Sequence, residues 1–354
     1  MVKVKGRKVC YKQMVYHVAS MGILWYIFVR KTGGIVPMKE MLEKMIEECR
    51  PYTAQGHVAT YIPELASVDP DRLGIYLILE EDPENRTESS AGGYADIYAG
   101  DHQVPFTMQS VVKPLLLLQA IMDSGIDQVR ELVGVEATGK PFDAFNYSDQ
   151  ALTGAHINPM INTGAIALCT LIYGDTYEEK FSRLLDLARR LAGNPSLQID
   201  EAVYASEKAT GNKNRALAYM LKAYGMIHDP VEEILDCYFK ACSILVTCKD
   251  LANIALILAH HGVDPRTGEC HFPARYARHV NATMATCGMY DGSGEFALQV
   301  GFPAKSGVGG GIMGVIPRRM GIAVYAPALD KHGNSVAGVQ VLARLSNELD
   351  LSIY

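Results

Sequence analysis

Hydrophobic residues recur at helical spacing through the middle of the chain and in short runs near both ends. Spacings of three and four residues are typical of amphipathic helices, whereas short apolar runs between turn-forming residues indicate strands. The pattern predicts helices at 38–49, 57–66, 181–191, 216–224, 231–245, 251–260 and 335–349. It predicts strands at 74–79, 94–98, 296–300, 311–316 and 321–325, and an almost wholly helical stretch from 110 to about 285.

Strands at both ends with helices between them predict one sheet built from both parts of the chain. We expect helices to cover this sheet and a helical subdomain to be inserted at its edge. The predicted sheet part covers about 50–109 and 288–354, and the helical part about 110–287. The cleft between the two parts is the natural place for a site.

The first 37 residues differ from the rest of the chain. Four basic residues, Lys3, Lys5, Arg7 and Lys8, precede an apolar stretch at 14–29, and no Ala-x-Ala-like cleavage site follows. The stretch is short for a membrane span, which needs about 20 apolar residues. We interpret 1–37 as an N-terminal extension outside the fold, with a domain at 38–354; a membrane anchor is the alternative.

Composition narrows the class of protein. The apolar fraction of 49% and the charged fraction of 20% are typical of a globular protein with a substantial core. A net charge of −6, from 33 basic and 39 acidic residues, argues against nucleic acid as a partner. Eight cysteines without a Cys-x-x-Cys pair indicate a reducing cytoplasm, and ten histidines without a His-x-x-x-His pair give no reason to expect a metal.

Ser110-Val111-Val112-Lys113 places an alcohol and an amine three residues apart where a helix is predicted to begin. Residues at this spacing share a helix face, so a deprotonated Lys113 can remove the proton of the Ser110 hydroxyl. Ser-x-x-Lys is the nucleophile signature of β-lactamases and penicillin-binding proteins. The alternative from local spacing is a helix cap, supplied by Thr107 or Ser110, followed by a solvated lysine.

Asparagines interrupt an otherwise apolar segment at Asn158-Pro159-Met160-Ile161-Asn162. Pro159 fits a first helical position with Asn158 as the cap before it, and Asn162 then lies one turn further along the same face. Both asparagines can be binding groups, or they can be caps and core hydrogen-bonding groups.

A turn-rich segment at 206–214 is predicted to open the helix at 216–224. Within it, Glu207 supplies a carboxylate that can bind an ammonium, and Asn214 an amide that can bind a carboxylate. A solvated loop is the alternative interpretation. Tyr238 lies among apolar residues, where core packing is its default role.

Two turn-rich segments frame the last predicted strands. The first, 287–295, presents Tyr290 just before the strand predicted at 296–300, where its phenol can act as a proton carrier. The second, 303–311, contains Lys305-Ser306-Gly307, which resembles the Lys-Thr-Gly element of penicillin-recognising enzymes. Its glycines permit close approach to a substrate, with the Val308 N–H facing a developing oxyanion.

Together these segments resemble the serine-dependent glutaminases from about residue 47 to the end of the chain. This resemblance implies an α/β (α+β) fold like that of β-lactamases and penicillin-binding proteins. In such a fold an antiparallel sheet from both chain ends is flanked by helices and carries an all-helical subdomain. The matching motifs are Gly56-x-Val58-Ala59-x-Tyr61-Ile62-Pro63-Glu64-Leu65, Gln109-Ser110-x-x-Lys113-Pro114, Asn158-Pro159-Met160-Ile161-Asn162, Ser206-Glu207, Cys287-Gly288-Met289-Tyr290-Asp291 and Ala304-Lys305-Ser306-Gly307-Val308.

The resemblance implies hydrolysis of L-glutamine to L-glutamate and ammonia through a γ-glutamyl ester on Ser110. Lys113 is then the base, Tyr290 relays protons, and the N–H groups of Ser110 and Val308 hold the oxyanion. No cofactor is implied. The implied substrate cage consists of Tyr61, Asn162, Glu207, Asn214 and Tyr238. A cytoplasmic homodimer or homotetramer without a membrane or nucleic-acid partner is expected.

The chain departs from the family pattern in places. The stretch 142–154 is longer and less regular than expected, Asn212-Lys213 replaces Asp or Ser followed by Arg, and Thr163 replaces an alanine. The N-terminal extension has no counterpart in the family, and the ankyrin-like appendage of animal relatives is missing.

Two rival functions remain open at this point. The first is a penicillin-recognising acyl-serine hydrolase, against which stands the lack of a clear Ser-x-Asn or Tyr-x-Asn element between the two lysine motifs. The second is a binding protein for glutamine or glutamate without catalytic activity, against which stands the joint presence of Ser110 and Lys113.

Overall fold

The computed structural model describes residues 28–31, 34–81, 92–139 and 157–354. Most of the predicted N-terminal extension and the irregular stretch 142–154 lie outside the described residues. The strands are β1 (Phe28–Lys31), β2 (Gly34–Pro37), β3 (Gly74–Glu80), β4 (Tyr94–Gly100), β5 (Phe106–Thr107), β6 (Leu245–Val246), β7 (Ala304–Ser306), β8 (Gly311–Ile316) and β9 (Met320–Tyr325). The helices are α1 (Met38–Cys49), α2 (Lys113–Leu132), α3 (Asn162–Leu168), α4 (Tyr177–Ala192), α5 (Glu201–Thr210), α6 (Asn212–Ala223), α7 (Val231–Cys242), α8 (Cys248–Ala259), α9 (Ala274–Cys287), α10 (Ser293–Gln299) and α11 (Val336–Leu349).

The central sheet has five antiparallel strands in the order β4-β3-β9-β8-β7, so both parts of the chain contribute to it. Every residue of β8 and β9 is buried, because helices cover both faces of the sheet. Alternate residues of β9 therefore enter two cores: Ile322 and Val324 pack with α1 and α11, whereas Ala323 and Tyr325 pack with the helical part.

Two of the predicted elements are wrong. Segment 57–66 is not a helix: His57 forms an isolated bridge with Leu329, and turns lead to a short 3₁₀ helix at Leu65–Ser67. Pro63 explains the difference, because it lacks an N–H donor and disfavours helical backbone at Ile62. Segment 296–300 lies mostly in α10 rather than in a strand, since a short apolar run does not by itself distinguish the two.

The boundaries of the helical part also differ from the prediction. Helix α3 begins at Asn162, so Pro159 does not occupy its first turn. Asn158 instead folds back locally, its Oδ1 accepting the Met160 N–H at 2.9 Å. The segment 206–214 is not a loop but the end of α5 and the start of α6, with a break at Gly211.

None of the helices in the described ranges is both long and apolar enough to cross a bilayer.

Candidate active site

The turn that carries Ser110 connects the sheet to the helical part. It is a 3₁₀ helix, Gln109–Val112, and α2 begins only at Lys113. No side chain caps α2, so the alternative of a capping Thr107 or Ser110 is wrong. Gln109 has a φ of +47°, a left-handed conformation that is costly for a residue with a side chain. This turn holds Ser110 with 6% of its surface exposed.

Lys113 is completely buried, so the alternative of a solvated lysine is also wrong. Its Nζ donates to Asn162 Oδ1 at 2.7 Å and to the Met160 carbonyl at 3.3 Å. Both acceptors come from the start of α3 and the turn before it. Lys113 thus follows Ser110 by one turn of the chain, and its amine lies in a site with little access to water.

Asn162 links this amine to the side chains predicted to bind substrate. Its Nδ2 donates to Asn214 Oδ1 at 2.9 Å, and the Tyr238 hydroxyl donates to its Oδ1 at 3.3 Å. The three side chains come from α3, α6 and α7, which are adjacent elements of the helical part. Two of the predicted cage residues, Asn214 and Tyr238, are therefore joined to Lys113 through the Asn162 amide.

Glu207 lies in α5 with 6% of its surface exposed, which excludes the solvated-loop interpretation. Burial raises the pKa of its carboxyl to about 7, while a hydrogen bond from the Gln109 amide and the charge of Lys113 act in the opposite direction. Because burial disfavours the charged form of this carboxyl, a cationic partner would stabilise it. Gln109 was missed as a site residue, since neither its contact with Glu207 nor its positive φ can be read from a glutamine in the sequence.

Tyr290 lies in a 3₁₀ turn, Tyr290–Gly292, between α9 and α10, and not before a strand. It has a φ of +58° and is buried. Burial raises the pKa of its phenol, and a hydrogen bond with the Ser110 side chain acts against this increase. The turn is fixed by the Ser293 hydroxyl, which donates to the Tyr290 carbonyl at 2.8 Å.

The glycine turn between β7 and β8, residues 307–310, packs directly against the turn that carries Ser110. A Cβ added to Gly307 would lie 2.7 Å from the Met108 carbonyl oxygen, which is closer than real Cβ atoms approach. A Cβ added to Gly309 would lie 2.6 Å from the Thr107 carbonyl oxygen. Only glycine permits this approach, and it holds the glycine turn against the backbone of Thr107, Met108 and Val111 on either side of Ser110.

A cavity of about 270 Å³ opens beside Ser110. This volume is just below the range of drug-sized ligand sites, about 300–1,000 Å³, and therefore suits a small metabolite. Tyr61, with 57% of its surface exposed, stands at the mouth. The cavity is lined by Tyr61, Ile62, Gln109, Ser110, Asn162, Glu207, Thr210, Gly211, Lys213, Asn214, Tyr238 and Cys242. All five predicted cage residues are thus brought together, whereas Tyr290 and Val308 do not line the cavity and pack in one small apolar cluster.

A family model described as Glutaminase matches residues 56–354 of this chain. The chain belongs to the glutaminase family. Among curated relatives, the glutaminase of Clostridium tetani is 49% identical over 317 residues, which are 90% of this chain and all of that protein. Glutaminase 2 of Clostridium perfringens is 46% identical with the same coverage. The expectation of a glutaminase enzyme is thereby confirmed.

Solved glutaminase structures share the fold. A Bacillus subtilis glutaminase in covalent complex with 5-oxo-L-norleucine is 38% identical, with a TM-score of 0.79 over 90% of this chain and all of that one. Mglu in its glutamate form is 39% identical, with a TM-score of 0.81 over 90% of this chain and 70% of that one. The predicted β-lactamase-like fold, with its antiparallel sheet, is confirmed by these neighbours.

Proposed function

We propose that this glutaminase hydrolyses L-glutamine to L-glutamate and ammonia through a γ-glutamyl ester on Ser110. The observation that carries the proposal is the buried turn in which Ser110 precedes Lys113, facing a cavity with Glu207 at its other side. A nucleophile beside a base whose own partner orients it is the arrangement that acyl transfer requires.

In the first half of the reaction, Lys113 as a neutral amine takes the proton of the Ser110 hydroxyl. The oxygen attacks the side-chain amide carbon, and the N–H groups of Ser110 and Val308 hold the oxygen that becomes negative. Such donors contribute about 3–4 kcal/mol each in comparable sites. Tyr290 passes a proton to the amide nitrogen, the carbon–nitrogen bond breaks, and ammonia leaves.

In the second half, water replaces ammonia. The Tyr290 oxygen, which gave up its proton in the first half, accepts a proton from the water as the water oxygen attacks the ester carbon. The bond to Ser110 then breaks as the Lys113 ammonium returns its proton to the serine oxygen. The product is L-glutamate. Atoms balance with water as the only co-reactant, so no cofactor is needed.

Recognition of a free amino acid follows from the polar side chains of the cavity. Glu207 pairs with the α-ammonium, which would offset the cost of a buried carboxylate with a pKa raised to about 7. The α-carboxylate is held by the amides and hydroxyls of Tyr61, Asn162, Asn214 and Tyr238. An amide without the two charged groups would leave buried polar groups unpaired and should react poorly.

The Bacillus subtilis relative supports a covalent mechanism. It reacted with 6-diazo-5-oxo-L-norleucine to give a covalent complex. That reagent is an amino acid with a ketone carbonyl at the position of the glutamine amide carbonyl, so it directs a nucleophile to the same carbon chain. Reaction with such a compound is expected of an enzyme with a nucleophilic side chain at the end of a glutamine-shaped pocket.

The decisive experiment is Ser110→Ala, assayed by ammonia release from L-glutamine. We expect a loss of about 10⁴-fold or more in kcat, as for other removed nucleophiles. The exposed Ser196→Ala variant is the matched control and should keep wild-type activity. Mass spectrometry after treatment with 6-diazo-5-oxo-L-norleucine should place the label on Ser110. Undiminished ammonia release in Ser110→Ala, or a label on another side chain, would refute the mechanism.

The cytoplasmic location and the assembly of two or four copies stay predictions from the sequence.

A further inference from the structure

A short loop at 330–334, between β9 and α11, packs against the turn that carries Tyr290. The Asp330 carboxylate closes this loop: its Oδ1 accepts the N–H groups of His332 at 2.8 Å and Asn334 at 2.9 Å. The Asp330 N–H also donates to the Asn334 carbonyl at 2.8 Å. These bonds fix where the side chains of His332 and Asn334 leave the backbone. The loop can therefore hold a neighbouring segment in place.

Two side chains of the loop contact the residues on either side of Tyr290. Asn334, with 4% of its surface exposed, donates from its Nδ2 to the Met289 carbonyl at 3.2 Å. The His332 Nδ1 lies 2.8 Å from Asp291 Oδ2, which is hydrogen-bonding distance. The loop thus contacts the turn immediately before and immediately after Tyr290.

Tyr290 depends on such contacts because its backbone is strained. Its φ of +58° is uncommon for a residue with a side chain, and such a conformation persists only where surrounding contacts determine it. Within the turn, the Ser293 hydroxyl accepts the Met289 N–H at 3.1 Å. From outside, the loop fits closely, since a Cβ added to Gly292 would lie 3.2 Å from the Asn334 Nδ2. The loop is therefore a second support of this turn, supplied by another part of the chain.

The Tyr290 phenol forms a hydrogen bond with the Ser110 side chain, so a shift of the turn would move the phenol relative to the proposed nucleophile. Within the described part of the chain, the lining of the substrate cavity includes neither Asn334 nor His332. We propose that Asn334, together with His332, is a positioning residue of the reaction, which holds the turn on both sides of Tyr290 and so keeps the phenol aligned with Ser110. This inference rests on the role proposed above for Tyr290.

The test is Asn334→Ala, which removes the donor to the Met289 carbonyl. We expect kcat for ammonia release to fall about 10- to 100-fold, the effect of a misplacement near 1 Å, with KM within about twofold of wild type. The same substitution is then made in a Tyr290→Phe background, which has no phenol to misplace. There it should lower the remaining kcat by less than about twofold, because the two residues act as one unit. A merely structural asparagine would lower kcat by the same factor in both backgrounds.

The matched control is Asn253→Ala in α8. Asn253 is also 4% exposed and makes a side-chain hydrogen bond, its Oδ1 accepting from Arg266 Nη1 at 2.6 Å. This variant should lose stability in thermal unfolding and keep the wild-type kcat. The control thus separates a loss of stability from a loss of alignment.

His332→Ala tests the second contact. The His332 side chain is 33% exposed, so its removal should leave the fold intact. We expect kcat to fall about two- to fivefold, a smaller effect than in Asn334→Ala because a partly exposed pair contributes less, and this loss should also disappear in the Tyr290→Phe background.

An unchanged kcat in Asn334→Ala, or equal losses with and without the Tyr290 phenol, would overturn the proposal. If Asn334→Ala does not fold, His332→Ala decides, and an unchanged kcat there has the same consequence. If Ser110→Ala is inactive while Asn334→Ala is fully active, only the role of the loop fails and the ester mechanism stands. If instead Tyr290→Phe keeps the wild-type kcat, the proposed role of Tyr290 fails and this inference fails with it.

Discussion

At the reaction end of the cavity, Ser110 and Lys113 are 6% and 0% exposed, whereas at the mouth Tyr61 is 57% exposed. The side chains of the buried end are shielded from bulk water. In such surroundings hydrogen-bond donors interact strongly with developing charge and need little rearrangement during the reaction. The open end instead admits a substrate and lets products leave. The same cavity thus combines a buried end, where we propose that the bond is broken, with an accessible entrance.

The backbone differs between the two ends as well. Gln109 and Tyr290, with φ values of +47° and +58°, hold strained conformations next to the Ser110 hydroxyl, the proposed nucleophile. The side chains Asn162, Glu207 and Asn214 come from regular helices. Chemistry here depends on where backbone groups lie to within a fraction of an ångström, while recognition depends on side chains that ordinary helices can present. The two ends should therefore respond differently to substitution.

A methyl group at the glycine turn should break the reaction end most severely. Gly307→Ala puts a Cβ 2.7 Å from the Met108 carbonyl oxygen, and this backbone cannot retreat without moving the turn that carries Ser110. We expect kcat to fall by about 10²–10³-fold, the cost of one lost oxyanion donor, with a smaller change in KM. Steady-state ammonia release over a range of glutamine concentrations measures both constants.

The control for this substitution is Gly294→Ala in α10. A Cβ there meets no atom within 4 Å, so activity should be unchanged and stability equal or slightly greater. Near-wild-type kcat in Gly307→Ala would mean that the glycine turn and the turn that carries Ser110 are not rigidly packed. The two ends of the cavity would then not differ in their sensitivity to substitution.

The sequence predicted the residue types around the cavity better than its backbone geometry, for a physical reason. Local pattern left Asn162 and Glu207 open between binding groups and structural or solvated ones, and the resemblance to the serine-dependent glutaminases placed both in the implied cage, because side-chain identity can be read from a motif. The contact of Gln109 with Glu207 and the positive φ of Gln109 were not predictable, since both arise from tertiary packing. The wrong strand at 296–300 has the same origin: its apolar pattern suits either element, and only the folded chain shows Phe296 in a helix with its ring edge-to-face on Phe302.

Removing the charge of Glu207 should impair binding more than turnover. Glu207→Gln leaves the substrate ammonium without its counter-charge, and truncating one partner of a buried charge pair costs about 2–5 kcal/mol. We expect KM for L-glutamine to rise about 30-fold or more, with kcat less affected. Glu201→Gln, an exposed position on the same helix, is the control and should behave as wild type.

The pH dependence of this variant sharpens the test. In the wild type, kcat/KM should fall below about pH 7 as Glu207 takes up a proton, and this acid limb should be lost in Glu207→Gln. The folded pKa lies above the ordinary value of 4.5, so the stability linked to this carboxyl is present below pH 4.5 and lost as the pH rises through 7. Glu207→Gln should accordingly be more stable than wild type at pH 8 and equal to it near pH 4.5. A variant with unchanged KM would exclude Glu207 from ammonium binding.

The smallest effect is expected at the mouth, from Tyr61→Phe. A hydrogen bond from a side chain this exposed to a substrate carboxylate contributes about 1 kcal/mol, so KM should rise no more than about fivefold with kcat unchanged. Tyr219→Phe on α6, which is 56% exposed and does not line the cavity, is the matched control. A rise in KM as large as that in Glu207→Gln would require Tyr61 to be desolvated when substrate is bound. Tyr61 would then cover bound L-glutamine, and its high exposure would be a property of the cavity without substrate only.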